Sequence, residues 1–180
     1  MSRLSSSILD DGGSVAYIDL DTTFTAYLAS EMIKVEKPEA LTLIRPTAEN
    51  IHKVMAKVLS WEDDRYDLVI LDSLTAFHHL SSKGRGLGKT ARLMGSYLAL
   101  FKSMSIRHNS RLIVTSLLVS RRLPEQEGGG WIPSPTGRRI MSRISDISIG
   151  ISCDSSEIEI KVLNHPDAGQ KDVVYKMPVS

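Results

Sequence analysis

Short apolar runs that alternate with segments of helical periodicity are the feature that most constrains the fold of this chain. The runs predict five strands, which lie at about 14–19, 40–46, 66–74, 111–119 and 144–154. The intervening residues predict helices at 25–35, 47–61 and about 89–106. The third run, YDLVILDSL, is apolar at consecutive positions, which is typical of a strand covered on both faces. This order predicts an α/β fold whose mostly parallel, twisted sheet has helices on both faces.

The C-terminal third of the chain departs from this alternation. EIEIKVLN at 157–164 and KDVVYKM at 171–177 flank HPDAGQ and predict an antiparallel hairpin that closes the fold. Residues 120–139 contain three consecutive glycines and three prolines, so they predict a mobile loop about 20 residues long. Ligands of parallel sheets bind beyond the carboxyl ends of the strands. The residues to inspect there are Asp19, Asp21, Asp72, Ser73, Ser116 and Leu117.

Length, hydropathy and cysteine count limit the classes of protein to which this chain can belong. With 180 residues, 42% of them hydrophobic, the chain suits one globular domain spanning 1–180. It has no apolar stretch near the length of about 18 residues that marks a membrane helix, and no secretory signal, so we expect no membrane partner. Its single cysteine, Cys153, permits no intrachain disulfide and fits a reducing compartment. The place of Cys153 in a predicted strand predicts an inert core thiol.

Charge is distributed unevenly along the sequence. Residues 1–72 carry 7 Lys/Arg against 13 Asp/Glu, a net charge of −6. Residues 73–180 carry 15 against 8, a net charge of +7. This asymmetry indicates either a polyanionic or acidic partner for the second half, or solvated faces that simply differ in charge.

The segment GRGLGKT at 84–90 looks like a phosphate-binding loop, but its spacing is wrong. The P-loop pattern G-x-x-x-x-G-K-[ST] requires a glycine at position 83, where the chain has Lys83. A P-loop also follows a hydrophobic strand directly, and the preceding residues TAFHHLSSK do not predict one. The glycines and cations of this segment therefore predict a different role.

Six segments, taken in order, resemble the RecA/RadA recombinase family, specifically its archaeal RadA and eukaryotic strand-exchange branch. They are VAYIDLDTTF, YDLVILDSLTAF, SSKGRGLGKTARLMGSYLALFKSM, RLIVTSLLVSRR, PTGRRIMSRISDISIGI and VLNHPDAGQKDVVYKM, and they span roughly residues 13–177. Each match alone is weak, and the shared order carries the resemblance. It implies a three-layer RecA-like core in which the strand ending at Asp72 is the Walker B strand.

The resemblance also implies two DNA-binding loops. KGRGLGKTAR corresponds to the first loop, and the Gly/Pro-rich stretch after Ser116 corresponds to the second. Cations in such loops can follow a phosphate backbone, and Trp131 can stack on a base. The implied DNA-binding residues are Lys83, Arg85, Lys89, Arg92, Arg121, Arg122, Trp131, Arg138, Arg139 and Arg143. The alternative is that these side chains form a solvated rim.

The residues of the ATP site depart from the family's pattern. The family's catalytic Glu corresponds to Asp21, which is one methylene shorter, and its γ-phosphate-sensing Gln corresponds to Leu117, which cannot hydrogen-bond. The nucleotide-capping Asp corresponds to Asn164. Asp72 keeps its position, although an Asp there can also cap the following turn. These departures, with no P-loop in the sequence, predict no catalytic residue, no resident metal, and only a vestigial nucleotide site formed by Asp21, Asp72 and Ser73.

The family's P-loop strand lies inside the sheet, beside the strand that corresponds to 111–116. When this strand is absent, the backbone N–H and C=O groups of its neighbour lose their hydrogen-bond partners, and two alternatives remain. Either the fifth strand pairs directly with that strand, or an unpaired edge is left for a partner. The second alternative favours oligomerisation.

Three functions fit these residues. The first is a non-catalytic RadA-like paralogue, cytoplasmic on the nucleoid or nuclear in a eukaryote, that binds DNA or a recombinase and assists recombination and repair. The second is a subunit that completes an ATP site in trans in an oligomer with a P-loop-bearing paralogue, through Asn164, His165 or Lys171. Only such a partner would bring ATP and Mg²⁺ to the chain. The third is an interaction scaffold of this fold that does not bind DNA.

Overall fold

The computed structural model describes residues 8–9, 11–61, 66–82, 86–122 and 129–178. The chain divides between Arg138 and Arg139 into two compact units, which we call the first and the second unit. The prediction of a single domain over 1–180 stays a prediction. None of the helices in the described ranges is long and apolar enough to cross a membrane.

The first unit is built on a four-stranded parallel sheet. Its strands are β1 (Val15–Asp19), β2 (Leu41–Ile44), β3 (Leu68–Asp72) and β4 (Arg111–Val114), in the order β2-β1-β3-β4. All of β1 and all but the last residue of β3 are buried, as their consecutive apolar residues predict. The carboxyl ends of β1 and β3 are in register, with Asp19 beside Asp72.

Helices lie on both faces of this sheet and confirm the predicted α/β architecture. They are α1 (Thr23–Ala29), α2 (Ile51–Leu59), α3 (Leu74–Ser81) and α4 (Leu87–Arg107), with a 3₁₀ turn at Pro38–Ala40. On one face, Tyr17 and Ile70 pack with Phe24 of α1. Alternate strand residues point to the other face, where α4 contacts β4, α2 and α3.

Two helix boundaries differ from the sequence prediction. α1 ends at Ala29 rather than continuing to 35, because Glu31 takes a positive φ of 56° that a right-handed helix does not accommodate. α2 begins at Ile51 rather than at Thr47. The Asn50 side chain accepts a hydrogen bond from the backbone N–H of Thr47 at 2.7 Å, which holds these residues in a turn before the helix starts.

Residues 120–139, predicted as an unstructured loop, contain part of a β-hairpin. The predicted strand 111–119 is two strands, because β4 ends at Val114 and β5 (Leu118–Arg122) begins three residues later. β5 pairs antiparallel with β6 (Trp131–Pro135). Pro133 and Pro135 are tolerated because each strand of a two-stranded hairpin keeps a free edge, where a missing N–H breaks no ladder.

The second unit contains a three-stranded antiparallel sheet after the short helix α5 (Arg138–Ile144). Its strands are β7 (Ser148–Cys153), β8 (Glu157–Asn164) and β9 (Val174–Pro178), in the order β7-β8-β9. β8 and β9 confirm the predicted C-terminal hairpin. β7 pairs antiparallel with β8, and the two alternatives for the fifth predicted strand stay predictions. Within the described residues, β4 and β7 each keep one unpaired edge.

The prediction of a buried thiol is also wrong. Cys153 ends β7 and is exposed. It alternates with Ile149 and Ile151 along the strand, so the three side chains share one face of the sheet. That face is open to solvent, since Ile151 is 65% exposed.

Candidate functional site at the carboxyl ends of the strands

Asp72 lies at the carboxyl end of β3 and is held by two neighbouring strands. The Tyr17 hydroxyl of β1 donates a hydrogen bond to Asp72 Oδ2 at 2.5 Å. The hydroxyl of Thr115, which follows β4, donates to Asp72 Oδ1. Each carboxylate oxygen therefore accepts a hydrogen bond from the protein, and the side chain joins three strands. Sequence reasoning missed Tyr17 and Thr115, which are remote from Asp72 in the chain.

The environment of Tyr17 keeps this donor protonated. Burial raises the pKa of the Tyr17 phenol well above its usual range, and the hydrogen bond to Asp72 raises it further. The negative charges of Asp19 and Asp21 act in the same direction. The ring also stacks on Phe24, with 4.0 Å between the ring centroids. Tyr17 is therefore a fixed hydrogen-bond donor at neutral pH.

The two acidic residues at the end of β1 are engaged by α1. Asp19 is fully buried, and its Oδ2 accepts hydrogen bonds from the Thr25 backbone N–H at 2.8 Å and from the Thr25 hydroxyl at 2.5 Å. Asp19 Oδ1 is buried and has no hydrogen-bond partner in the described part of the chain. Asp21 is exposed, and its Oδ1 accepts from the backbone N–H of Thr23 at 3.1 Å, at the start of α1. Both carboxylates thus help to fix the first turn of α1.

Ser73 acts as a helix cap. It is buried, it follows a cis peptide bond from Asp72, and its hydroxyl accepts a hydrogen bond from the Ala76 N–H at 3.2 Å. This contact satisfies one of the free N–H groups at the start of α3. The residue that caps this turn is therefore Ser73, and not Asp72, for which the sequence left a capping role open.

The base of the β5–β6 hairpin is tied to the first turn of α3. The Thr75 hydroxyl accepts from the Leu117 backbone N–H and donates to the Thr136 hydroxyl, both at 3.1 Å. The Ser116 hydroxyl donates to the Thr136 carbonyl at 3.0 Å. The Leu117 side chain is 60% exposed. These bonds anchor the hairpin at the same edge of the sheet as Asp72.

The predicted DNA-binding residues fall into several groups. Lys83 and Arg85 lie outside the described residues, and Arg121 lies in β5, in register with Ile132. Arg122 lies directly opposite Trp131 in the hairpin, so both side chains share one face, and Trp131 is 70% exposed. The remaining cations are exposed: Lys89 and Arg92 in the first turns of α4, and Arg138, Arg139 and Arg143 on α5.

Two further surfaces belong to the second unit. Arg139 and Arg143, four residues apart on α5, line a surface depression of 350 Å³ together with Ile140 and Ile144. Near the β8–β9 turn, the Asn164 side-chain amide donates to the Asp146 carbonyl at 3.3 Å. The His165 ring nitrogen Nδ1 accepts from the backbone N–H of Asp167 at 3.0 Å. The first contact joins the end of β8 to the residues before β7, and the second lies within the β8–β9 turn.

Comparison with solved structures identifies the fold. A crystal structure of the RadB recombinase matches 99% of this chain and 78% of its own length, with a TM-score of 0.64 and 14% sequence identity. This chain has a RecA-like fold. No protein-family profile and no curated protein sequence matches it. At 14% identity the similarity to the RadB recombinase establishes the architecture alone.

The residues at the carboxyl edge of this RecA-like sheet do not fit a magnesium–nucleotide complex. Each oxygen of Asp72 accepts one hydrogen bond, from Tyr17 or from Thr115, and a magnesium site normally needs phosphate oxygens beside a carboxylate. Leu117 offers no side-chain hydrogen bond to a phosphate. In the described ranges, no three His, Cys, Asp or Glu side chains come together as a possible metal-binding group. The chain's own residues therefore support a structural role for this edge.

Proposed function

We propose that this chain is a non-catalytic RadA/RecA-like paralogue that binds DNA and assists homologous recombination and DNA repair. Its fold is similar to that of a protein described as a recombinase. The observation that carries the proposal is the pairing of Arg122 with Trp131 on the exposed face of the hairpin. A cation beside an exposed aromatic ring is the combination that single-stranded nucleic acids bind, through the phosphate and the base respectively.

The cations of α4 support the same interface. Lys89 and Arg92 are exposed and lie in the first turns of this helix, with no acidic residue in its first turn. Helix N-termini attract anions, because the free N–H groups and the helix dipole are both positive there. The hairpin follows the carboxyl end of β4, where ligands of parallel sheets bind, and α4 follows α3, the helix that begins at the carboxyl end of β3.

The non-catalytic part of the proposal rests on Asp72 and Leu117. Each oxygen of Asp72 accepts a hydrogen bond from a neighbouring strand, which gives this carboxylate a structural role that needs no metal. Leu117 stands where the resembling family has its γ-phosphate sensor. We therefore propose that no residue of this chain hydrolyses ATP, and that the chain needs no cofactor to bind DNA.

The proposed partners are DNA and a RadA-type recombinase or paralogue, with which the chain would form homo- or hetero-oligomers on the nucleoid or in a nucleus. Completion of an ATP site in trans is the second candidate, because Asn164 and Lys171 are exposed near the β8–β9 turn. Mixing the chain with a P-loop-bearing paralogue tests it. Stimulated ATP hydrolysis that is lost in Lys171→Ala would support it, and unchanged hydrolysis would count against it.

The test of DNA binding is fluorescence anisotropy with labelled single- and double-stranded DNA across a salt series, without nucleotide. Trp131→Ala should weaken single-strand binding by about 1–3 kcal/mol, the value of one stacked base, and leave the salt slope unchanged. Arg122→Ala should flatten the slope of log affinity against log salt by about 0.7, the contribution of one phosphate on a single strand.

Arg107→Ala is the matched control for charge removal. Arg107 is exposed at the far end of α4, about 22 Å along the helix from Arg92. Its removal changes the net charge equally but leaves the proposed interface intact, so affinity and salt slope should match the unmodified chain. Equal effects of Arg107→Ala and Arg122→Ala would show non-specific attraction. Binding that is absent or insensitive to salt would refute the DNA proposal.

A further inference from the structure

A single buried hydroxyl group joins both ends of the β5–β6 hairpin to α3. Thr75 lies in the first turn of α3 and is 7% exposed. Its hydroxyl accepts a hydrogen bond from the N–H of Leu117, directly before β5, and donates one to the hydroxyl of Thr136, directly after β6. A hydroxyl has one proton to donate, so these contacts use its donor and one of its acceptor sites. Thr75 therefore holds the residue before β5 and the residue after β6 beside each other.

The two ends of the hairpin are also joined to each other. The Ser116 hydroxyl donates to the Thr136 carbonyl at 3.0 Å, and the Thr136 N–H donates to the Leu117 carbonyl at 3.4 Å. These two bonds close the base of the hairpin, and neither of them involves α3. The contacts of Thr75 therefore connect a closed hairpin to the helix beside it.

The order of the hairpin depends on its base. β5 and β6 pair with each other and with no other strand of the described residues. A two-stranded hairpin alone is at best marginally stable in water. The pair of Arg122 and Trp131 lies four residues along the ladder from the pair of Leu118 and Pro135, so it is about 13 Å from the base. A rotation at the base therefore moves Arg122 and Trp131 the most.

We propose that Thr75 is a positioning residue, which holds the hairpin in its DNA-binding orientation before any ligand is bound. This inference rests on the proposed function, because the hairpin carries Arg122 and Trp131. The hydrogen bonds come from α3 of the same chain, so the orientation requires no nucleotide. When only a fraction of the molecules has the binding-competent orientation, the apparent affinity falls by that fraction. Loss of the Thr75 hydroxyl therefore lowers DNA affinity without changing the residues that contact DNA.

Thr75→Val is the test variant, because valine keeps the β-branched shape of threonine and lacks its hydroxyl. Thr75→Ser keeps the hydroxyl. The backbone hydrogen bond from the Leu74 N–H to the Thr115 carbonyl, at 2.9 Å, is present in both variants. Thr42→Val is the matched control, because the Thr42 hydroxyl accepts from the Tyr66 hydroxyl at 3.0 Å in β2, at the opposite edge of the sheet from β4.

Amide hydrogen exchange of the full chain without DNA measures the order of the hairpin. The amides of 118–122 should exchange about tenfold faster in Thr75→Val, since about one net hydrogen bond no longer opposes local opening. The same amides should stay within about twofold of the unmodified chain in Thr75→Ser and in Thr42→Val, because the hairpin opens locally while the Thr42 contact stays intact.

Fluorescence anisotropy with labelled single-stranded DNA, without nucleotide, measures the consequence for binding. Thr75→Val should weaken binding by about tenfold and leave the salt slope unchanged, because the same phosphates are contacted. Thr75→Ser and Thr42→Val should bind within about twofold of the unmodified chain, because each keeps the contacts at the base of the hairpin.

Three results would overturn the inference. Thr75→Val and Thr42→Val could speed exchange of the hairpin amides equally, which would mean that the hairpin opens only when the whole unit unfolds. Thr75→Ser could behave like Thr75→Val, which would assign the effect to packing rather than to the hydroxyl. Thr75→Val could bind DNA as tightly as the unmodified chain. A chain that binds no DNA in any form would refute the proposed function, whereas the exchange rates decide separately whether Thr75 orders the hairpin.

Discussion

Replacement of Asp72 by Ala is the sharpest test of the structural role that its hydrogen bonds assign to it. The change removes the shared acceptor of the Tyr17 and Thr115 hydroxyls. Hydrogen bonds to a charged group contribute about 1.5–3 kcal/mol each to stability. The removal of a partly buried carboxylate offsets some of that loss, so we expect the free energy of unfolding to fall by about 3 kcal/mol.

Asp72→Asn is the matched control. An Asn side chain has the same shape, and its amide can donate to a hydroxyl that rotates to accept, so the strands stay joined without the charge. We expect it to cost about 1 kcal/mol, the value of ordinary neutral hydrogen bonds. Urea denaturation at neutral pH measures both variants against the unmodified chain, with and without Mg²⁺ and ATP.

The outcomes of this experiment are distinct. A ligand that binds only the folded state raises its stability in proportion to the logarithm of the ligand concentration above its Kd. If Mg²⁺ and ATP stabilise the unmodified chain and not Asp72→Asn, Asp72 binds metal and the structural reading is wrong. The reading also fails if Asp72→Ala costs less than about 1 kcal/mol, because the two hydrogen bonds would then contribute little.

Three further substitutions test other parts of the first unit. Because folding raises the pKa of Tyr17, stability should fall as pH rises above about 10, where the unfolded phenol ionises and the folded one does not, and Tyr17→Phe should remove this component of the pH profile. Ser73→Ala should cost about 1 kcal/mol in urea unfolding through loss of the α3 cap, and no loss would contradict the capping role. Gly137→Ala should cost about 1–2 kcal/mol by thermal unfolding, because its φ is +73° and the new methyl would lie 3.0 Å from Met94 Cε; an unchanged melting temperature would refute that strain.

The parts of the fold that could be predicted are those encoded by contiguous residues. β1 and β3 follow from consecutive apolar residues, and the β8–β9 hairpin follows from two strand patterns around a turn sequence. α3 escaped prediction because its eight residues are too few to show a clear helical period. The β5–β6 hairpin escaped because Pro133 and Pro135 argue against a strand unless an edge is known to be free.

The candidate site could be predicted only in part, because its residues are not contiguous in the sequence. The sequence places Asp72 at the end of a strand, but its partners come from strands 55 and 43 residues away, and only the pairing register brings them within hydrogen-bond distance. Burial of Cys153 was predicted wrongly for a related reason. An alternating apolar pattern indicates which face of a strand is apolar, and it does not indicate whether anything covers that face.

The bonds between Thr75, Leu117 and Thr136 give the molecule a mechanical linkage. The hairpin that presents Trp131 cannot tilt without pulling on the first turn of α3, and that turn begins at Ser73, beside the residue that joins three strands. A force on the hairpin is therefore passed to α3 and to the carboxyl end of β3 through these hydrogen bonds. The hydrogen bonds at its base fix the orientation of the hairpin relative to the sheet of the first unit. A strand of nucleic acid bound to the hairpin, as we propose, would be held at a defined angle to that sheet.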